Sequence, residues 1–316
     1  MLAIRHGKEY HVAMSRILVV DDEPAILHTL RDLFLSCGHQ VNTACDGQEG
    51  LDMALEGEYD LVLSDISMPR LSGIELLSRL EIVRPEIHRV LLTAHTLEDY
   101  IDQLVGHNLS CVLTKSVPFP VQEVLVTVES LLSGSIFGIH RHLPTPTRHE
   151  GFKVRTYREM VELCDSLTLR APERRRNHLQ TILSEVLTNA VYYGSLDMPG
   201  DHKETWTHDF TLPEDKAVHV EFAEDNGRMA ITVSDQGGRL QRQTVLHWLK
   251  RQMSRDENGL PEGIFDNHGR GFFISRSFSD RLSISIERGR RCEVTLLLYH
   301  QGMPPLGEKP LVILEI

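Results

Sequence analysis

Residues 181–194 read TILSEVLTNAVYYG. Laid on a helix, Ile182, Leu183, Val186, Leu187, Ala190 and Val191 form one apolar stripe at the spacing of a core helix. Glu185, Asn189 and Tyr193 recur at intervals of four and line up along one margin of that stripe. A carboxylate and an amide one turn apart beside a core face are set to meet a shared ligand. Alone, the stretch reads equally well as a core helix with a polar edge. The order of motifs around it breaks that tie.

Downstream, residues 218–222 and 229–233 alternate apolar and polar side chains, with Asn226-Gly227 between them, a strong hairpin signal. The hairpin runs out into Val233-Ser234-Asp235-Gln236-Gly237-Gly238. A polar stretch with few strand signals follows, then His268-Gly269-Arg270-Gly271-Phe272-Phe273-Ile274. Glycines ahead of a helix let backbone N–H groups approach a phosphate, and the helix dipole favours its charge. Two strands, 281–287 and 293–299, come next.

Upstream the pattern changes. The run RILVV at 16–20 delivers Asp21-Asp22-Glu23-Pro24, as a buried parallel strand delivers acidic residues at its C-terminal end. Pro24 suits the first turn of a helix to residue 35. Then come a strand at 40–45, a helix at 47–55, an apolar run at 59–64 ending in Asp65, and a helix near 73–80. Strand 89–92 ends at Thr93, strand 110–113 ends at Thr114-Lys115, and a helix covers 121–132. Alternation of this kind predicts an α/β, doubly wound parallel sheet. Three carboxylates at one sheet edge repel unless a cation lies among them, and oxygen donors suit magnesium. A hydroxyl and an ammonium nearby would complete a pocket for a phosphoryl group.

Residues 15–133 thus resemble the receiver domain of two-component response regulators, through ILVVDDEP, LVLSDISMPRLSG, VLLTAH and LTK. The resemblance implies Asp65 as phosphoacceptor, Asp21 and Asp22 with Asp65 as magnesium ligands, and Thr93 and Lys115 as phosphoryl contacts. It also implies a metal-facing backbone carbonyl at Ser67 and an upstream histidine kinase as phosphodonor. Two positions depart from the family: Val112 stands where an aromatic switch residue is usual, and Ser116 where a cis proline is usual.

Residues 151–300 resemble the ATP-binding domain shared by gyrase, histidine kinases and anti-sigma serine kinases, the GHKL type, an α/β sandwich. SEVLTNAVYYG, VSDQGG, GRGFFISR and CEVTL look closest to the anti-sigma branch. The resemblance implies ATP and magnesium as cofactors, with Asp235 holding the adenine amino group and Asn189 ligating the metal. Glu185 would be general base, Gly237 would admit the adenine, and Gly269 and Gly271 would cradle phosphates. Arg239 replaces a family glycine, and Cys292 a threonine, a weaker donor.

Length and composition agree with two modules. The 316 residues hold two domains of ordinary size, with 41% apolar and 25% charged residues. Of the net charge of −12, a net of −11 falls before residue 136, so an acidic module precedes a nearly neutral one. The overall sign argues against a general nucleic-acid or membrane-surface binder. The five cysteines lack zinc spacing and read as reduced thiols of a cytoplasmic protein. The leader before Arg16 lacks the apolar core of a signal peptide and reads as a frayed tail, with Met14 an alternative start. Residues 134–150, bearing glycines and prolines, read as a linker whose His140, His142 and His149 are solvated. The tail 301–316 ends in LVILEI and reads as a terminal strand of unknown partner.

The chain therefore reads as a bacterial signalling protein whose receiver regulates an ATP-binding output domain. That domain phosphorylates or sequesters a partner, by resemblance an anti-sigma-factor antagonist or a sigma factor. Two alternatives stay open: an output domain that binds ATP only as an interaction switch, and a histidine kinase-like enzyme acting in trans. A homodimer is also left open.

Overall fold

The computed structural model describes residues 14–198, 206, 209–255, 257, 260, 262–263, 269–300 and 309–316. The leader before Met14, most of the polar stretch 200–208 and most of the lid before Gly269 lie outside the described residues. The chain forms two compact units: residues 1–90 with 127–135, and residues 91–126 with 136–316.

In the first unit β1 (Arg16–Val20), α1 (Pro24–Ser36), β2 (Gln40–Ala44), α2 (Gly47–Glu56), β3 (Leu61–Asp65) and α3 (Gly73–Val83) alternate as expected. β1 pairs in parallel with β2 on one side and with β3 on the other. Ile17, Leu18, Val19, Leu61, Val62 and Leu63 are fully buried, the mark of a parallel sheet covered on both faces. The helix starts are encoded locally. Pro24 opens α1, Asp46 caps α2 through the N–H groups of Gln48 and Glu49, and Ser72 with Glu75 forms a capping box on α3.

β4 (His88–Thr93) is followed by a short helix α4 (Ile101–Gly106), β5 (Cys111–Thr114) and α5 (Val121–Ser133). In the second unit β4 pairs with β5 in parallel. Beyond α5 come β6 (Arg148–Val154), α6 (Tyr157–Arg170), α7 (Arg176–Asn189), the hairpin β7 (Val218–Glu224) and β8 (Arg228–Asp235), α8 (Arg242–Met253), α9 (Arg270–Phe278), β9 (Arg281–Glu287), β10 (Arg291–Tyr299) and β11 (Leu311–Glu315). The strand order in this unit is β4-β5-β11-β9-β10-β8-β7-β6. α6 packs on α7, α7 on α9, and α8 on α9. Asp225 accepts from the N–H groups of Gly227 and Arg228, so the Asn-Gly turn forms where its signal lies.

Three readings are corrected. The opening helix keeps α-helical geometry only to Asn189 and continues as a π-helix over Ala190–Ser195. Residues 242–253, read only as polar, form α8, whose Val245, Leu246, Leu249 and Met253 are buried. The linker is not a solvated string: Ile136, Ile139 and Leu143 are buried, the latter two with Ala223, Ala230 and Leu297. Burial drives the pKa of His142 down to about 3, so that ring is neutral, whereas His140 is exposed. His149 belongs to β6, is exposed as expected, and faces Glu221 at 3.2 Å.

Candidate functional site

In the first unit the register sets Val20 of β1 beside Ser64 of β3, so Asp21 and Asp65 leave the sheet as neighbours at its C-terminal edge. Asp21 is fully buried and Asp65 nearly so, while Asp22 faces solvent. Asp65 Oδ2 accepts from the Ser67 N–H at 2.6 Å, and Asp21 Oδ1 from the Glu23 N–H at 3.0 Å. Carboxylate oxygens at this sheet edge are donors of the kind that a hard divalent cation such as magnesium takes. Sequence reading missed Gly73. A Cβ there would sit 1.9 Å from the Asp65 carbonyl oxygen, so only glycine lets α3 begin this close to the end of β3.

In the second unit Thr93 ends β4 and Lys115 follows β5. The Lys115 N–H donates to the Thr93 carbonyl at 2.6 Å, which holds the two positions together. The Thr93 hydroxyl accepts from the His95 N–H at 2.9 Å and is buried. Val112 is buried within β5, and the cis peptide bond lies at Val117–Pro118, beyond Ser116.

A cavity of about 580 Å³ opens in the same unit between α7 and the turn before α9. Glu185, Asn189, Asp235, Gly269 and Gly271 line it, with Cys292 also on its wall. A Cβ on Gly271 would lie 2.8 Å from Glu185 Oε2 and 3.4 Å from Asn189 Nδ2. The carboxylate and the amide therefore face the N-terminus of α9, where the helix dipole and first-turn backbone N–H groups favour an anion. Gly269 adopts φ +80°, the left-handed region, and a Cβ would strike the Trp248 ring at 2.0 Å. Two reasons thus converge on glycine there.

Asp235 closes β8 and is 6% exposed. Its Oδ1 accepts from the N–H groups of Gly237 at 2.9 Å and Gly238 at 3.3 Å. Burial nevertheless pushes its carboxyl up to about 6, the backbone bonds only partly offsetting it. Cys292 faces Asp235 across the β8–β10 ladder, and burial with the adjacent carboxylate holds its thiol protonated. Gly194, part of the opening motif but given no role in sequence reading, is essential to this packing. A Cβ on it would meet Asp235 Cγ at 2.3 Å, and a Cβ on Gly237 would meet the Gly194 carbonyl oxygen at 1.9 Å. Arg239, Arg270 and Trp248 also line the cavity. Arg239 pairs with Asp197. The position of Arg270 between two motif glycines was the available signal for it. Trp248 was hidden in the stretch read as polar.

A second cavity of about 640 Å³ lies between α6 and α7. Among the described residues, Glu185 alone lines both cavities.

Residues 17–128 match the family model of the response regulator receiver domain, and residues 150–297 that of the histidine kinase-like ATPase domain. Over 118 residues the chain is 31% identical to sporulation initiation phosphotransferase F of Bacillus subtilis, covering 37% of this chain and 94% of that protein. It is 35% identical over 118 residues to the uncharacterized transcriptional regulatory protein YkoG of Bacillus subtilis, covering 37% of this chain but only 51% of YkoG. The chain thus spans about half the length of that relative. Among solved structures, the response regulator TrrA of Thermotoga maritima, in complex with Mg2+-BeF, is 36% identical with a TM-score of 0.34, covering 37% of this chain and 99% of that one. The chain belongs to the response regulators and carries a receiver domain followed by a histidine kinase-like ATPase domain.

Proposed function

We propose that this is a phosphorylation-controlled, ATP-dependent signalling protein, with a receiver over residues 15–133, a linker over 134–150, an ATP-binding domain over 151–300 and a tail over 301–316. A histidine kinase supplies phosphate to Asp65. Asp21 and Asp22 join Asp65 in holding magnesium, and Thr93 and Lys115 take the phosphoryl-contact roles that the receiver family gives their positions. In the second domain Asp235 accepts from the adenine amino group, and Gly237 leaves room for the ring. Gly269 and Gly271 present the phosphate turn, and Asn189 holds magnesium there.

The observation that carries the output reading is the approach of Glu185 and Asn189 to Gly271, in a cavity whose wall also holds buried Asp235. Glu185 then acts as general base toward a partner protein's serine or threonine hydroxyl. The proton passes to the Glu185 carboxylate, the new O–P bond forms at the terminal phosphorus of ATP, and its bond to the leaving ADP breaks. That Glu185 borders both cavities supports this reading over mere nucleotide storage, because an acceptor can reach the carboxylate from the side away from ATP. The partner is an antagonist of an anti-sigma factor or a sigma factor, and the setting is cytoplasmic. No helix of the described residues is long and apolar enough to cross a membrane.

The test is incubation of the purified chain with labelled ATP and magnesium, with and without candidate partners. Acid-stable label on a partner supports serine or threonine transfer. Acid-labile label would point to histidine or aspartate instead, and no detectable ATP binding would remove the nucleotide site altogether.

A further inference from the structure

The C-terminal strand touches the nucleotide site at neither end, yet both of its ends grip a helix that lines it. β11 lies between β5 and β9. It pairs antiparallel to β5 (Leu311 with Val112, Val312 with Cys111) and parallel to β9 (Val312 with Ser283 through Glu315 with Ile286). Leu311, Val312, Ile313 and Leu314 are buried, so the strand is a core element of the unit.

At its leading end, Lys309 Nζ donates to the carbonyl oxygens of Arg276 at 3.1 Å and Ser277 at 2.5 Å. These are among the last carbonyls of α9, where intrahelical partners run out and a cation is favoured. The grip is reciprocal: buried Arg276 donates to the Lys309 carbonyl. The other end of α9, nine residues long, is the Gly269–Gly271 turn facing Glu185 and Asn189. At its trailing end, the half-buried Glu315, whose side chain is only 8% exposed, pairs with Arg288 at 2.5 Å and with Arg242 at 3.4 Å. Arg242 is the first residue of α8, and Trp248 of α8 packs against Gly269.

We infer that β11 is a brace for the nucleotide site, with Lys309 and Glu315 as positioning residues. Lys309 holds α9 from behind, Glu315 holds the start of α8, and together they fix the turn on which the ATP phosphates would rest. Because the same strand is hydrogen-bonded to β5, which leads directly into Thr114-Lys115, the brace also joins the nucleotide site to a strand bearing a phosphoryl-contact residue. The inference rests on the nucleotide reading of the cavity.

The test uses the full chain and four variants: Lys309→Ala, Lys309→Arg, Glu315→Gln, and the double Lys309→Ala/Glu315→Gln. ATP affinity with magnesium is measured by calorimetry, and Trp248 fluorescence, read with parent and variants alike in a Trp206→Phe background, reports the packing beside Gly269. Thermal unfolding of each variant is recorded alongside. Losing a charge at a helix end changes an equilibrium by about 2–5-fold. Lys309→Ala and Glu315→Gln should each weaken ATP binding by about that factor and shift the Trp248 emission, with the losses compounding in the double variant. Lys309→Arg, which keeps a cationic donor, should restore affinity and emission to near wild type. Folded Ala, Gln and double variants that bind ATP as the parent does would overturn the brace. So would a Lys309→Arg variant as impaired as Lys309→Ala. If the parent chain itself binds no ATP, the nucleotide reading fails, a result distinct from failure of the brace.

Discussion

Asp235→Asn should make the protein more stable and a worse ATP binder at once. A carboxyl held at about 6 rather than 3.8 carries an ionisation penalty on the order of 3 kcal/mol at neutral pH. The amide removes the buried charge, yet its oxygen can still accept from the N–H groups of Gly237 and Gly238. Part of the penalty returns as desolvation of the new amide, leaving a net gain of about 1–2 kcal/mol. For a domain of this size that raises the melting temperature by roughly 2–4 °C per kcal/mol. The sign with pH follows from a folded-state pKa above the unfolded one. The favourable contribution of protonated Asp235 is complete below about 3.8 and is lost as pH climbs through about 6. The stability gap between variant and parent should therefore be widest above pH 7 and close towards pH 4. Affinity should move the other way, because a hydrogen bond to a charged acceptor is worth about 1.5–3 kcal/mol, roughly 10–150-fold in ATP binding. Thermal unfolding at several pH values and calorimetric titration with ATP give both numbers. A variant no more stable than the parent at pH 7.5, or a gap indifferent to acid, would refute the buried-carboxylate argument.

Other outcomes follow from the same geometry. Asp65→Asn should abolish the acid-labile mass increase produced by a small phosphodonor with magnesium, as read by intact-mass spectrometry. Asn189→Ala should weaken magnesium-ATP binding, whereas Glu185→Ala should leave it nearly intact and slow turnover by about 10²–10⁴-fold, a contrast visible by pairing calorimetry with a turnover assay. Gly194→Ala places a Cβ 2.3 Å from Asp235 Cγ, so it should cost about 1–3 kcal/mol in unfolding experiments and impair ATP binding as well.

Where a signal was local, it could be read in advance. The strand ends at Asp21, Asp65, Thr93 and Lys115, the capped helices and the Asn-Gly hairpin depend on neighbouring residues, and each lies where its pattern points. The readings that failed concern choices made by tertiary structure. Val245, Leu246, Leu249 and Met253 of α8 carry a helical spacing, but charged and polar neighbours lowered the mean hydropathy enough to mask it. α4 has six residues, too few for periodicity to show. The terminal strand was legible as a strand, but its pairing with β5 joins residues about two hundred positions apart, which no short window contains. Likewise Ile139 and Leu143 dock on Ala223, Ala230 and Leu297, far away in the sequence, although their Pro- and Gly-bearing surroundings read as loop. Gly194 and Gly73 show the same limit, since the atoms that exclude a Cβ come from distant parts of the chain or from packing that only the fold reveals.

The central claim is that phosphate on Asp65 changes what the ATP-binding domain does. The direct measurement is the ATP affinity and turnover of the full chain with magnesium, with and without beryllium fluoride as a stable phosphoryl mimic, using Asp65→Asn as control. A coupling of about 1–3 kcal/mol predicts a change of roughly 5–150-fold in the parent and none in the control. Equal affinity and equal turnover in the parent with and without the mimic would contradict the account.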